Sequence, residues 1–74
     1  MNVTVKLFAN FRLGRFKVRE SDLPPGTTCL GVVESLDINE KEIGVVMVNG
    51  RHAPLTHKLV EGDTVSIFPL VGGG

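Results

Sequence analysis

The chain has 74 residues, enough for one small domain. A domain of this size buries only about 60% of its extended surface, so its core is marginal. A single cysteine, Cys29, excludes an internal disulfide, and eight Lys plus Arg against eight Asp plus Glu exclude a global field directed at nucleic acid or at a membrane surface. With 42% hydrophobic residues the composition is that of a folded domain, not a disordered one.

The opening "NVTVKLF", residues 2–8, alternates strictly. Val3, Val5 and Leu7 point to one side and Thr4, Lys6 and Phe8 to the other, which predicts a half-buried strand. "ANFRLGR" breaks at Gly14 and reads as a turn. "RFKVRESDL" alternates again and predicts a second strand, paired with the first as a hairpin, with Phe16 and Val18 inward and Lys17 and Arg19 outward. "PPG" at 24–26 stops that strand. Thr27 or Thr28 can then cap a helix whose apolar face is Cys29, Val32, Val33 and Leu36, spaced i, i+3, i+4, i+7. Gly31 inside that helix costs about 1 kcal/mol relative to Ala. "DINEKEI" predicts at most a short helical turn.

"GVVMVNG", residues 44–50, is a β-rich run ending in Asn49-Gly50, the strongest short hairpin signal, because both residues tolerate positive φ. "RHAPL" returns as a short strand that Pro54 keeps at an edge. "LVEGD" supplies another turn, and "TVSIF" places Val65 and Ile67 inward with Thr64, Ser66 and Phe68 outward. The predicted order is β-β-α-β-β-β, one helix against a mixed sheet. The expected core is Val3, Val5, Leu7, Phe16, Val18, Cys29, Val32, Val33, Leu36, Val46, Val48, Val65 and Ile67. Charge is uneven along this order. Lys6, Arg12, Arg15, Lys17 and Arg19 open the chain without an acid among them, and Glu20, Asp22, Glu34, Asp37, Glu40 and Glu42 follow against Lys41 alone. Such runs are ordinary solvated surface or two faces of opposite sign for a partner.

The sequence closes on "FPLVGGG". Three glycines pack nothing and stay flexible, so either the end is merely loose or its carboxylate has a task in another protein's active site. The preceding residues bear on that choice. Val48-Asn49-Gly50, Gly62-Asp63-Thr64-Val65, and Phe68-Pro69 followed by Gly73-Gly74 resemble the C-terminal half of the sulfur-carrier family that includes MoaD and ThiS. "VKLFANFR" at 5–12 looks like the MoaD-type opening, and "PPGTTCLGVVESL" is similar to the family's helix. Leu70 departs from a second proline common in MoaD, Gly72 departs from the usual Ser or Thr, and the span between the second and third strands is nearer ThiS in length.

The resemblance implies an α+β, β-grasp (ubiquitin-like) domain over 1–71, a mixed sheet packed on one main helix, with a flexible glycine tail over 72–74. It implies a carrier, not an enzyme. A ubiquitin-activating-type adenylyltransferase (MoeB/ThiF-like) uses ATP to adenylate Gly74, sulfur replaces AMP, and the resulting thiocarboxylate passes its sulfur to an acceptor synthase. Molybdopterin or tungsten-pterin synthesis is favoured over thiamin-thiazole synthesis by "LFANFR" and "IFP". A ubiquitin-like modifier conjugated through Gly74 and a plain β-grasp interaction module are the alternatives. No bound cofactor, nucleic acid or membrane partner is expected. The lone thiol, the absence of a signal-peptide layout at the start and the absence of an apolar run near ~18 residues predict a cytoplasmic protein.

Within this reading Gly72 and Gly73 give the tail its close backbone approach, and Pro69 stiffens its exit. Strand alternation puts Phe8, Met47 and Phe68 outward, and the β-grasp sheet that the resemblance implies, with its first and last strands as central neighbours, brings them together; with Pro69, Leu70 and Val71 they form the expected partner-docking face. Cys29 reads as a core thiol before a sulfur relay, His52 and His57 as surface histidines before metal ligands, and Asp63 as a residue that shapes its turn.

Overall fold

The computed structural model describes residues 1–70. The expectations for Val71, Gly72, Gly73 and Gly74 lie outside the described residues. Among these residues the strands are β1 (Asn2–Leu7), β2 (Val18–Asp22), β3 (Ile43–Val48), β4 (Arg51–His52) and β5 (Thr64–Pro69), and the one α-helix is α1 (Cys29–Ser35). The five strands form one mixed sheet in the order β2-β1-β5-β3-β4. β1 and β5 pair in parallel at the centre, and β2, β3 and β4 join antiparallel outside them. This is the β-grasp architecture that the resemblance implies, and its element order is the one read from alternation.

Helix α1 begins where Thr28, in extended conformation, accepts the Gly31 N–H at 3.1 Å through its side-chain oxygen. Two more of the helix's early N–H groups find carbonyls on the loop before β5: Cys29 N–H donates to His57 and Leu30 N–H to Leu55. Leu59 N–H in turn donates to Thr27, so this loop and the helix start hold each other. The helix lays Cys29, Val32 and Val33 on the sheet, against Val3, Val5 and Leu7 of β1, Val46 and Val48 of β3, and Val65 and Ile67 of β5. Burying each such side chain fully contributes about 1.5–3 kcal/mol, and this packing carries a fold with no disulfide.

Two sets of residues differ from the sequence expectation. First, β2 has the opposite facing. Lys6 pairs with Val18 and Val5 with Arg19, so Val18 stands on the outer face, 52% exposed, and Arg19 and Ser21 stand on the helix side. β2 is an edge strand with four of its five residues exposed, so little core demand selects its register. The Arg19 guanidinium instead lies 4.1 Å from the centroid of Phe16, which is only half-buried. Second, the core includes Phe11, Ile38 and Leu59, while Leu36 is only partly covered. These three come from segments without strand or helix periodicity. Phe11 belongs to a 3-10 turn, Ala9–Arg12, that fills the β1–β2 connection read as a plain turn.

Candidate functional site

Opposed residues in a sheet share a face, so the strand register reads directly as a map of the outer surface. Lys6, Ser66, Met47 and His52 lie in one row across β1, β5, β3 and β4. In the next row, toward the end of β5, Phe68 is opposite Val45. Phe8, at the end of β1, stacks on Phe68 with ring centroids 4.1 Å apart and planes 11° from parallel. Both rings are half-buried, each covered on one side by the other.

Local chemistry places Phe8. Its backbone is extended, and Ala9 then turns with φ of 52° into the 3-10 turn. Arg12, on that turn, donates from Nε to the Leu7 carbonyl at 2.7 Å and sets its guanidinium 5.3 Å from the Phe8 centroid. The basic side chain thus holds the end of β1 and roofs the stack.

Met47, Val45, His52, Phe68 and Pro69 line a shallow, open concavity of about 340 Å³. Met47 joins the cluster as the alternation predicts, although the residue directly across from Phe68 is Val45. Val45 was not singled out in the sequence, and His52 was read only as a surface histidine. The Val46–Val48 alternation already puts Val45 outward, whereas His52 required the hairpin register. Pro69 is half-buried at the strand's end and Leu70 is 64% exposed. Of the expected docking residues, Phe8, Met47, Phe68 and Pro69 therefore gather at the end of β5, and Leu70 follows them as an exposed residue.

A bulge fixes the direction of that exit. Ile43 pairs with Pro69 and Val45 with Phe68, so the register shifts at Gly44. Leu70 N–H then donates to the Glu42 carbonyl at 2.8 Å. A larger concavity of about 580 Å³, lined in part by Arg51, His57, Lys58 and Asp63, lies toward the beginning of β5 and shares only His52 with the first.

The other candidates are built into the fold. Cys29 is fully buried, and burial with the nearby Asp63 charge pushes its thiol pKa up, so it stays a protonated core thiol. His52 is exposed on β4 and His57 lies in the loop beside α1, and among the described residues no His, Cys, Asp or Glu form a metal-binding group. Asp63, 6% exposed, does more than shape its own turn. It accepts the Val60 N–H locally and the Asn49 side-chain amide from the β3–β4 turn, each at 2.9 Å.

The sequence pattern of the ThiS family matches residues 5–74. No curated protein sequence matches the chain. Among solved structures, the HVO 2177 protein of Haloferax volcanii superposes with a TM-score of 0.80 at 29% identity, covering 100% of this chain and 87% of that one. A candidate molybdopterin converting factor subunit 1 from Pyrococcus furiosus gives 0.76 at 30% identity, over 96% of this chain and 99% of that one. Small archaeal modifier protein SAMP1 of Haloferax volcanii gives 0.76 at 23% identity over the full length of both, a likeness of fold.

Proposed function

The chain belongs to the ThiS family of ubiquitin-like sulfur carriers, and from that premise we propose that it carries sulfur as a thiocarboxylate on Gly74 for cofactor biosynthesis. A carboxylate is a poor electrophile. A ubiquitin-activating-type adenylyltransferase supplies ATP chemistry: a Gly74 carboxylate oxygen attacks the α-phosphate, pyrophosphate leaves, and the acyl-adenylate becomes open to attack. A sulfur nucleophile then adds at the carbonyl and AMP leaves. With sulfide the thiocarboxylate forms directly. With a persulfide, reduction of the acyl disulfide releases it. The chain is a co-substrate in both steps, and the partner performs the catalysis.

The observation that carries this reading is the joint placement of the Phe8–Phe68 stack, the Val45–Met47 concavity and the end of β5 on one face. A partner that grips the outer face of the sheet lies beside the end of β5, the strand that the tail follows in sequence. An apolar cluster of this kind, on a face otherwise carrying Thr4, Lys6, Thr64 and Ser66, is the usual mark of a protein partner. The "VKLFANFR" opening and the 30% identity to the Pyrococcus furiosus protein favour the molybdopterin or tungsten-pterin branch over the thiamin-thiazole branch.

The test is intact-mass measurement after incubation with candidate activating enzymes, ATP and sulfide. A gain of about 16 Da located at Gly74 is expected, from replacement of oxygen by sulfur in the activated acyl group. If no partner of this type yields that species, the carrier reading is wrong. Isopeptide-linked adducts on lysines of other proteins, formed in place of the thiocarboxylate, would assign the same activated carboxylate to a protein modifier.

A further inference from the structure

Asn49 is tied at three atoms to the start of β5. Its backbone N–H donates to the Thr64 carbonyl at 2.8 Å, its Nδ2 donates to Asp63 Oδ1 at 2.9 Å, and its Oδ1 accepts the Thr64 N–H at 2.9 Å. Asp63 is itself held by the Val60 N–H on its other oxygen. The latch therefore uses both ends of one carboxamide and both oxygens of one carboxylate. Asn49 and Gly50 have φ of 53° and 81°, the two left-handed residues of a tight hairpin turn.

The same dipeptide is chemically labile. Gly50 has no side chain to crowd its backbone nitrogen, and the space where a Cβ would stand is open, with nothing within 4 Å. We propose that Asn49–Gly50 is a fold-gated deamidation site: the latch to Asp63 and Thr64 holds the Asn49 carboxamide away from the Gly50 nitrogen, and opening of the latch allows a hydrolysis that prevents it from closing again.

The chemistry needs only water. The Gly50 amide nitrogen loses its proton and attacks Asn49 Cγ, the Cγ–Nδ2 bond breaks, and ammonia leaves. The five-membered succinimide is then opened by water at either carbonyl, giving aspartate or isoaspartate at position 49. One water is consumed and one ammonia released, with no change of oxidation state. The product has lost the Nδ2–H donor and sets a carboxylate against the Asp63 carboxylate, where a 2.9 Å hydrogen bond stood. Like charges at that separation repel. The isoaspartate product also adds a backbone atom to a turn that sets the β3–β4 register.

Other asparagines serve as internal controls. Asn2, Asn10 and Asn39 are followed by Val3, Phe11 and Glu40, whose side chains crowd the attacking nitrogen. The latch lies at the start of β5, away from Phe68 and Pro69, so the reaction is separate from the carrier chemistry.

The experiment is peptide mapping by mass spectrometry of the full chain in mildly alkaline buffer, following the gain of about 1 Da at each asparagine as the amide is replaced by acid. In concentrated urea Asn49 is expected to react fastest. In the native protein it is expected to react at least about tenfold more slowly, because only the opened state is competent. Asp63→Asn removes one of the two acceptors and is expected to accelerate the native reaction several-fold. Should that variant not fold, the wild-type rate across a urea series below the unfolding transition serves instead, and it should rise with urea. Asn49→Asp, the product mimic, should melt lower than wild type. A native rate equal to the urea rate overturns the proposal. So does a folded Asp63→Asn protein that reacts no faster than wild type, or an Asn49→Asp protein with wild-type melting.

Discussion

Replacing Gly44 by alanine tests whether the end of β5 is positioned by close backbone approach. Gly44 does not have a positive φ, so alanine can adopt its backbone conformation and the effect is one of space. A Cβ there would stand 2.7 Å from the Pro69 carbonyl oxygen, 3.0 Å from its carbonyl carbon and 3.1 Å from Leu70 Cα. Favourable contact begins at about 3.5 Å, so all three distances fall short by several tenths of an ångström. All three atoms are backbone and cannot rotate away. Either the end of β5 lifts from β3, breaking the Leu70–Glu42 hydrogen bond, or the bulge is remodelled. Overpacking of this kind costs about 1–3 kcal/mol. In a domain of this size each kcal/mol lowers Tm by roughly 4–8 °C. The displaced atoms are also the root of the tail, so Gly44→Ala should slow thiocarboxylate formation even at temperatures where the variant is fully folded. Thermal melts followed by circular dichroism, with the rate of mass gain measured below the transition, provide the two readouts. Unchanged Tm together with an unchanged rate would refute the argument. Gly31→Ala is the control. Its Cβ would meet the Thr27 methyl at 3.1 Å, a side-chain atom that can move, and alanine gains about 1 kcal/mol of helix propensity, so the change should be near neutral or stabilising.

Phe8→Ala and Phe68→Ala should each weaken binding to the activating enzyme by at least about 1 kcal/mol, measured by calorimetry. They should destabilise less than Phe11→Ala, whose ring is 3% exposed and whose loss should cost about 3–5 kcal/mol. One residue added after Gly74 should abolish sulfur loading in the mass assay and leave Tm unchanged. Cys29 supplies a pH prediction. Its folded-state pKa is raised by burial first and by Asp63 second, so the native state holds the thiol proton more tightly than the unfolded chain. This contribution is fully present below the ordinary thiol pKa of about 8.5 and is lost as pH rises from there through the folded value. Tm should therefore fall over that alkaline range more steeply than in Cys29→Val, and native Cys29 should resist alkylation until the protein unfolds. Equal slopes for the two proteins would remove Cys29 as the cause.

Much of the apolar cluster on the outer face was legible before the structure. Phe8 and Phe68 were placed outward by alternation, and a parallel central pair of first and last strands brings them together as observed. Met47 followed from the same rule. Val45 opposite Phe68, His52 at the concavity's edge and the bulge at Gly44 depend on how three strands align, and alternation within one strand carries no information about alignment with the next.

The sequence by itself determined whatever rests on local periodicity and turn chemistry. The alternation of "NVTVKL" and "TVSIF", a cap at Thr27 or Thr28 (the structure uses Thr28) ahead of a face whose Cys29, Val32 and Val33 are buried and whose Leu36 is partly so, and the Asn49-Gly50 turn each agree with the structure because short-range sterics and burial demand the same answer. Only the tertiary structure decided the rest. Val18 and Arg19 exchanged faces because an edge strand exposed at four of its five residues meets little core to correct it. Phe11, Ile38 and Leu59 entered the core from aperiodic segments because a domain this small fills its interior from its loops as well. Asp63 met Asn49 across fourteen residues of sequence because the β3–β5 pairing brought them within 2.9 Å, a contact set by the register of two strands and visible in neither alone.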